Sequence, residues 1–231
     1  MDVQTEKENK GLNLKKCILI CASPKSDIEF ISRDMPQKAF VICVDGGLAM
    51  ALNIGIRPDL VVGDFDSYPL YQFSACETIR LPTHKDDTDT MYAVKTALNR
   101  GFDDFYIYGA TGGREDHTFA NICILKFLAD RGCQARISDP YTKITCQNTG
   151  MRLYRNQYDY FSIFPFGCLQ SIVSLKGFEY PLERGTLTCS YPLGISNTIV
   201  GETGEITVHD GCIVVMQINE NERIKMKPCA Y

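Results

Sequence analysis

Short apolar runs alternate with helical patterns from the start of the chain to about Pro140. The runs are continuously apolar, which is typical of strands buried on both faces of a parallel sheet. They predict the strands Cys17–Cys21, Phe40–Val44, Leu60–Val62, Thr78–Leu81 and Phe105–Tyr108. Strands that alternate with helices predict an open, mostly parallel sheet with right-handed crossovers, in an α/β/α domain of three layers.

Helical spacing predicts helices between these strands. Apolar residues from Met91 to Leu98 follow one helical face, and this helix ends before Gly101. From Thr118 to Leu128 the pattern is apolar on nearly every side, which predicts a helix buried between layers.

After about Tyr141 the pattern changes, because Gly and Pro come at short intervals and helical periodicity disappears. An all-β sandwich or barrel is predicted by short β-prone runs such as Tyr160–Phe164, Gly185–Leu187 and Cys212–Met216. We therefore expect three segments: a polar N-terminal extension (1–14), an α/β domain (15–140) and an all-β domain (141–231).

Composition and charge narrow the class of protein. Apolar residues make up 45% and charged residues 23% of the 231 positions, as in soluble globular proteins with a sizeable core. The net charge of -4 argues against binding of nucleic acid through phosphate neutralisation. The polar segment Met1 to Asn13 has no apolar signal core, and no apolar run approaches the roughly 20 residues of a membrane helix. We expect a soluble, cytoplasmic protein with neither nucleic acid nor membrane as a partner.

The eleven cysteines are scattered along the chain, and no C-x-x-C pair occurs. This spacing argues against a zinc site and against a disulfide framework. Buried free thiols that pack as small apolar groups in a reducing compartment are the simpler interpretation.

Two acidic turns follow neighbouring predicted strands. The turn Asp45-Gly46-Gly47 follows the second strand, and Asp64 and Asp66 follow the third. In an open α/β sheet, ligands lie beyond the carboxyl ends of the strands. Side chains alternate along an extended segment, so these last two carboxylates point to one side and favour a cation such as Mg²⁺ between them. Aspartate and glycine are also common in solvated turns, so a D-x-D pair alone leaves both interpretations open.

The segment Lys85–Asp89 (KDDTD) follows a predicted strand and begins a helix. Its Thr and Asp residues could cap that helix and complement its dipole. Alternatively, Lys85 and the helix end hold phosphate while Asp86 or Asp89 turns toward a metal. The segment by itself supports both interpretations.

A third loop runs from Gly109 to His117. Its adjacent glycines, Gly112 and Gly113, let backbone N–H groups approach an anion, and Arg114 offers a guanidinium that fits phosphate. Asp116 adds a carboxylate at the same predicted sheet edge. A glycine-rich turn with a capping Asp is the alternative, but three such loops at one edge favour a site for a divalent cation and a nucleotide phosphate chain.

Five motifs, in this order, resemble those of the thiamine pyrophosphokinase family: DGG (Asp45–Gly47), PDLVVGDFDS (Pro58–Ser67), KDDTD (Lys85–Asp89), GGREDH (Gly112–His117) and ISN (Ile195–Asn197). The resemblance implies an α/β nucleotide-binding domain followed by a thiamine-binding β-sandwich. It implies transfer of a pyrophosphoryl group from ATP to the hydroxyl of thiamine, giving thiamine diphosphate and AMP. It also implies a homodimer whose sites lie between the α/β domain of one protomer and the β-domain of the other.

The resemblance further implies roles for individual residues. For Mg²⁺ binding and activation of the hydroxyl, it implies Asp64, Asp66, Asp89 and Asp116. For binding of ATP, it implies Asp45, Gly46, Gly47, Lys85, Gly112, Gly113 and Arg114. For the thiamine site, it implies Ser196 and Asn197, which would otherwise be interpreted as a turn.

The sequence departs from the family pattern in two places. Eukaryotic relatives stack a tryptophan on thiamine, and this sequence contains no Trp. Another aromatic side chain, for which Tyr191 near Ser196 is a candidate, or a carboxylate would then meet the cationic thiazolium ring. In addition, the first strand is followed by Ala22-Ser23-Pro24, where the family often has a glycine.

Two other functions fit parts of the pattern. A metal-dependent transferase with a nucleotide-sugar donor also uses D-x-D loops, but it does not account for KDDTD and GGREDH together. A non-catalytic regulator that binds nucleotide or thiamine would need the basic and glycine-rich groups but not so many carboxylates. Release of AMP during turnover separates these functions from a pyrophosphokinase.

Overall fold

A computed structural model describes residues 14–64, 76–84, 86–155 and 158–220 of the chain. Two of the predicted site residues, Asp66 and Lys85, lie outside these described residues, as does nearly all of the predicted N-terminal extension. Contacts divide the chain into a first unit, Met1–Asn121, and a second unit, Ile122–Tyr231.

The first unit contains a parallel sheet of five strands. In chain order they are β1 (Lys16–Ile20), β2 (Phe40–Val44), β3 (Leu60–Gly63), β4 (Glu77–Arg80) and β5 (Asp104–Tyr108). Their order in the sheet is β4-β3-β2-β1-β5, and each of the five predicted apolar runs forms one of them. The central strands are buried along nearly their whole length, which explains why their sequences are continuously apolar.

Four helices accompany this sheet: α1 (Ile28–Asp34), α2 (Gly47–Asn53), α3 (Asp89–Asn99) and α4 (Glu115–Ala129). Ile31 of α1 and Leu48 of α2 pack in one core cluster with Ile18, Val41 and other side chains of the sheet. Helix α3 packs against β1, β2 and β3. The predicted α/β fold with a mostly parallel sheet is therefore confirmed.

Helix α4 corrects one prediction. The nearly continuous apolar pattern predicted a helix buried between layers, but the side chain of Phe119 is 60% exposed and Cys123 is also exposed. These residues lie one helical turn apart and therefore share a side of the helix. Buried residues such as Ile124 and Leu128 lie elsewhere around the helix. An apolar pattern on every side of a helix shows which residues favour burial. It does not show whether other parts of the same chain pack against each side of that helix.

The second unit is an antiparallel β-sandwich. Its strands are β6 (Gln134–Ser138), β7 (Thr142–Gln147), β8 (Met151–Tyr154), β9 (Tyr160–Pro165), β10 (Gln170–Lys176), β11 (Leu182–Thr188), β12 (Thr203–Asp210) and β13 (Ile213–Ile218). The strands β6, β7, β13 and β9 are neighbours in one antiparallel arrangement, and β11, β10, β12 and β8 form another sheet. Side chains from both arrangements, including Phe161, Val173 and Val215, share one core. This confirms the predicted sandwich.

The predicted domain boundary near residue 140 stays a prediction, since contacts divide the chain within α4. All ten cysteines among the described residues are free thiols, as expected. Cys123 and Cys189 are exposed, however, so burial does not account for every thiol. None of the helices in the described ranges is long and apolar enough to cross a membrane.

Candidate functional site

Four loops begin together at the carboxyl edge of the first unit's sheet. In the register of β1, Ile20 lies opposite Cys43 of β2 and Tyr108 of β5. Val44 of β2 lies opposite Val62 of β3. The segments that follow these strands therefore start side by side, and they include three of the sequence motifs singled out above.

Asp45 is held directly after β2 by backbone and packing constraints. Its N–H donates to the carbonyl oxygen of Val62, 2.9 Å away, so it continues the pairing of β2 with β3. Its φ of 49° lies in the left-handed region, which Asp tolerates better than most residues. A Cβ on Gly63 would lie only 2.1 Å from Oδ1 of Asp45, so glycine at position 63 leaves the space that this carboxylate occupies.

Three carboxylates interact at this edge. Burial, followed by the negative charges of Asp89 and Asp64, raises the pKa of Asp45 to about 6. A hydrogen bond between the side chains of Asp45 and Asp89 raises it further, whereas the backbone N–H of Asp64 donates to Asp45 and lowers it. The residues of the first two acidic motifs and of the KDDTD segment are thus brought together, as the sequence predicts.

The chemistry of this group fits a hard divalent cation. Oδ1 of Asp45 is buried and receives no hydrogen bond from the described residues. A buried carboxylate oxygen beside like charges is stabilised by a cation, and oxygen ligands suit Mg²⁺. Within the described ranges, no group of three or more His, Cys, Asp or Glu side chains is spaced to enclose a metal. Asp66, the predicted companion of Asp64, lies outside those ranges.

The KDDTD segment contributes both to the capping of α3 and to the acidic group, the two roles that its sequence left open. Thr88 caps α3, since its Oγ1 accepts a hydrogen bond from the N–H of Met91 at 3.1 Å. Asp87 pairs with Lys95, with 2.7 Å between Oδ2 and Nζ. Asp89, in the first turn of α3, interacts with Asp45. Thr88 therefore caps the helix, whereas Asp89 belongs to the acidic group with Asp45.

The glycine-rich loop after β5 lies against the loop after β1. Gly109 has a φ of 64°, and a Cβ on it would lie 2.4 Å from the carbonyl oxygen of Cys21, so only glycine fits there. The buried Asn121 of α4 donates from Nδ2 to the carbonyl oxygen of Ala110 at 2.9 Å. This hydrogen bond fixes the loop from the side of the helix, and the sequence pattern alone did not indicate this role for Asn121.

Arg114, at the end of that loop, and Asp116, in the first turn of α4, form an exposed ion pair. Nε of Arg114 donates to Oδ1 of Asp116 at 3.0 Å, and the backbone N–H of His117 donates to the same oxygen at 3.0 Å. The hydrogen bonds from Arg114 lower the pKa of Asp116. Asp116 lies in the first turn of α4 and pairs with its sequence neighbours Arg114 and His117, so its predicted role in metal binding stays a prediction.

Gly46 and Gly47 have different surroundings. Gly46 is exposed and directly precedes α2. Gly47 is buried, and a Cβ on it would lie 1.9 Å from the carbonyl oxygen of Ile20. Close packing of α2 on β1 therefore requires glycine at position 47, whether or not its N–H contacts a nucleotide.

The second unit contains an apolar pocket with a volume of about 140 Å³ that opens to solvent. It is lined by Leu175, Tyr180, Leu182, Leu193, Gly194, Ile195 and Asn197. The ISN motif thus contributes two residues to its wall. Asn197 is buried, whereas Ser196 is exposed and has a φ of 55°.

The side chain of Asn197 fixes the backbone of the pocket. Its Oδ1 accepts hydrogen bonds from the N–H groups of Tyr180, at 3.0 Å, and Thr198, at 2.9 Å. Its Nδ2 donates to the carbonyl oxygen of Tyr180 at 2.8 Å. Asn197 therefore positions Tyr180, whose side chain is 66% exposed at the pocket. The sequence suggested Tyr191 as an aromatic candidate, and its role stays a prediction. The long-range pairing of Asn197 with Tyr180 is not visible in sequence order.

An open parallel sheet with acidic and glycine-rich loops at its carboxyl edge, followed along the chain by an antiparallel sandwich with an apolar pocket, defines a two-part α/β ligand-binding protein. Two family models identify it further. The catalytic domain of thiamin pyrophosphokinase matches residues 32–137, and the vitamin B1 binding domain of thiamin pyrophosphokinase matches residues 149–213. The chain belongs to the thiamin pyrophosphokinase family.

Relatives from several organisms agree with this membership. Thiamine pyrophosphokinase of Bacillus subtilis (strain 168) is 28% identical over 217 residues, which cover 88% of this chain and 99% of the relative. A crystal structure of the B. subtilis protein, at 26% identity, has a TM-score of 0.81 and is matched over 89% of this chain and 100% of that chain. Thiamin pyrophosphokinase from Geobacillus thermodenitrificans, also 26% identical, has a TM-score of 0.78 with coverages of 88% and 97%.

A solved structure with lower sequence identity is similar to this chain in fold alone. Thiamin pyrophosphokinase from Candida albicans is 17% identical, with a TM-score of 0.73 over 89% of this chain and 90% of that chain. The arrangement of strands is therefore retained at a level where most side chains differ.

Proposed function

We propose that this chain is a thiamine pyrophosphokinase that transfers an intact pyrophosphoryl group from ATP to the hydroxyl of thiamine. The products are thiamine diphosphate and AMP. The observation that supports the proposal is the group formed by Asp45, Asp64 and Asp89 at one edge of the sheet. The glycine-rich loop begins at the same edge, and both family models match the chain. Carboxylates beside a phosphate-binding loop are the parts that phosphoryl-type transfer needs.

The acidic group would hold Mg²⁺, with Asp45, Asp64, Asp66 and Asp89 as the candidate ligands. When bound, the cation neutralises charge on the triphosphate and on the departing AMP. Asp89 or Asp66 orients the thiamine hydroxyl and accepts its proton. Asp116 stays a candidate for the same group, although its present partner is Arg114.

The loops around the acidic group would bind the phosphates of ATP. Gly112 and Gly113 offer backbone N–H groups, and Arg114 offers a guanidinium that Asp116 holds in orientation. Lys85 and the turn Asp45-Gly46-Gly47 complete the set proposed for ATP. Positioning and charge neutralisation would supply most of the rate acceleration, as in other phosphoryl transfers.

Thiamine would bind in the apolar pocket of the second unit. The ring of Tyr180 can stack on a cationic thiazolium, since aromatic faces attract cations. Asn197 holds the backbone of Tyr180 in place, and the exposed Ser196 supplies a hydroxyl nearby in sequence. This assignment replaces the tryptophan of eukaryotic relatives with a tyrosine.

We further propose that the enzyme is a cytoplasmic homodimer with sites at the subunit interface. The segment that carries the ISN motif exposes several large apolar side chains, namely Tyr191, Leu193, Ile195 and Val200. Exposed apolar residues in such a cluster favour an interface between protein surfaces. A second copy of the chain would cover them and bring a first-unit edge to the pocket.

Chromatography of a reaction with ATP, Mg²⁺ and thiamine tests the proposed function. We expect AMP and thiamine diphosphate in equal amounts, and neither product after chelation of the metal. Consumption of a nucleotide sugar in a parallel reaction without ATP would favour the sugar transferase. Binding of ATP or thiamine without any product would favour the regulator, and either result would contradict the proposal.

A further inference from the structure

We propose that Lys25, in the loop after β1, is an additional binding residue for the phosphates of ATP. The inference rests on the proposed function for the nature of the anion, but its geometry comes from two neighbouring loops of the first unit. None of the motifs that resemble the family contains this lysine. The sequence departs from the family pattern directly before it, at Ala22-Ser23-Pro24.

The loop after β1 and the glycine-rich loop after β5 are joined by a series of hydrogen bonds. The N–H of Cys21 donates to the carbonyl oxygen of Tyr108 at 2.8 Å, and the N–H of Ser23 donates to that of Gly109 at 2.9 Å. The hydroxyl of Ser23 then donates to the carbonyl oxygen of Thr111. Pairing of β1 with β5 therefore continues beyond the strands, so that both loops form one surface.

Lys25 lies on that surface in contact with Gly112. A Cβ on Gly112 would lie 3.1 Å from Cβ of Lys25 and 3.5 Å from its Cδ. The aliphatic part of the lysine thus packs on the glycine, whose φ of 79° also disfavours any other residue. This packing places the aliphatic part of the Lys25 side chain beside the loop that contains Gly113 and Arg114.

The charges of the surrounding groups favour an anion at this position. The guanidinium of Arg114 is already engaged by Asp116. Lys25 is exposed, and within the described ranges its ammonium group has no carboxylate within 4.0 Å. A triphosphate on the glycine-rich loop would bring negative charge to a lysine that pairs with no carboxylate of the described ranges, and compact ammonium groups bind phosphate well.

Kinetics of the full chain with Lys25→Gln test this role. We expect the KM for ATP to rise about tenfold, because a hydrogen bond to a charged group is lost, while the KM for thiamine stays unchanged. Lys25→Arg should restore the KM for ATP, since its charge and reach are kept. The matched control is Lys38→Gln, which removes an exposed positive charge from the loop before β2, at the amino end of that strand. Its KM for ATP should equal that of the unchanged chain.

Calorimetric titration with ATP separates failure of this inference from failure of the proposed function. If the unchanged chain makes no thiamine diphosphate, the proposed function is wrong, and the dissociation constant of ATP still tests Lys25. An equal affinity for ATP in Lys25→Gln and the unchanged chain would overturn the assignment. So would an equal loss in Lys38→Gln, or a loss in Lys25→Gln that Lys25→Arg does not restore.

Discussion

At the residue scale, the carboxylate of Asp45 lies where burial and the charges of Asp89 and Asp64 raise its pKa to about 6. A side chain selected for stability alone would not place a charge there. Asparagine would fit the same left-handed backbone, accept the hydrogen bond from the N–H of Asp64, and donate to Asp89. The aspartate at this position therefore fits the proposed role in binding a cation.

Asp45→Asn should stabilise the metal-free protein while it removes activity. With chelator at pH 8, we expect the thermal midpoint to rise by about 2–4 °C, which corresponds to about 1 kcal/mol in a chain of this size, since partial exposure screens the repulsion. Turnover with Mg²⁺ should fall about a hundredfold, as expected for loss of a metal-site carboxylate. Thermal unfolding and product chromatography measure the two effects.

The pH dependence of this stabilisation follows from the direction of the shift. The folded-state pKa of Asp45 is raised, so its charge destabilises the folded state fully above pH 6. As the pH falls from 6 to about 4, the carboxyl takes up a proton and the advantage of Asp45→Asn disappears. Asp210→Asn, an exposed charge of the second unit, is the control and should show no such advantage. A midpoint for Asp45→Asn below that of the unchanged chain at pH 8 would contradict this account.

Tyr180 gives a second test at the residue scale. Tyr180→Ala should raise the KM for thiamine about three- to thirtyfold, because the aromatic face that meets the thiazolium is lost, and leave the KM for ATP unchanged. Tyr180→Phe keeps that face and should change little. Steady-state kinetics with Tyr191→Ala compare the aromatic residue that the sequence suggested. A larger effect at Tyr191 than at Tyr180 would show that the pocket assignment is wrong.

At the element scale, the turn after β2 combines a packing requirement with a site. Asp45 is aligned by its pairing with β3, and α2 begins at Gly47, immediately after the turn. Because a Cβ on Gly47 would lie 1.9 Å from a backbone oxygen of β1, the helix cannot accept a larger residue without moving. Displacement of α2 would also displace the acidic group, so stability and activity are linked in this element.

Gly47→Ala should therefore destabilise the protein by about 3 kcal/mol or more, since overpacking against backbone exceeds the gain of about 1 kcal/mol that alanine brings to a helix. The matched variant Gly201→Ala places a Cβ where nothing lies within 4 Å, and its free energy of unfolding should stay within about 0.5 kcal/mol of the original. Denaturant unfolding measures both. Equal stability of the two variants would show that α2 does not pack on β1 as described.

At the scale of the whole molecule, the sequence predicted the architecture because the patterns that indicate the parallel sheet and the sandwich are both local. Continuous apolar runs mark the buried parallel strands, and short runs between glycines and prolines mark the sandwich. The acidic turns could also be placed at one sheet edge, because the carboxyl ends of parallel strands always meet there.

Features that depend on long-range contacts were missed. Tyr180 reaches the pocket through hydrogen bonds with Asn197, 17 residues away in the chain. Lys25 meets Gly112 because β1 and β5 are neighbours in the sheet, although their sequences are far apart. The two roles within KDDTD were distinguished only when Thr88, and not an aspartate, proved to cap α3.

The central claim is transfer of an intact pyrophosphoryl group, and phosphorus NMR of a running reaction tests it most directly. With ATP, Mg²⁺ and thiamine, we expect the signals of AMP and thiamine diphosphate to grow together as those of ATP decline, without ADP. Appearance of ADP with thiamine monophosphate would show transfer of a single phosphoryl group and would contradict the account.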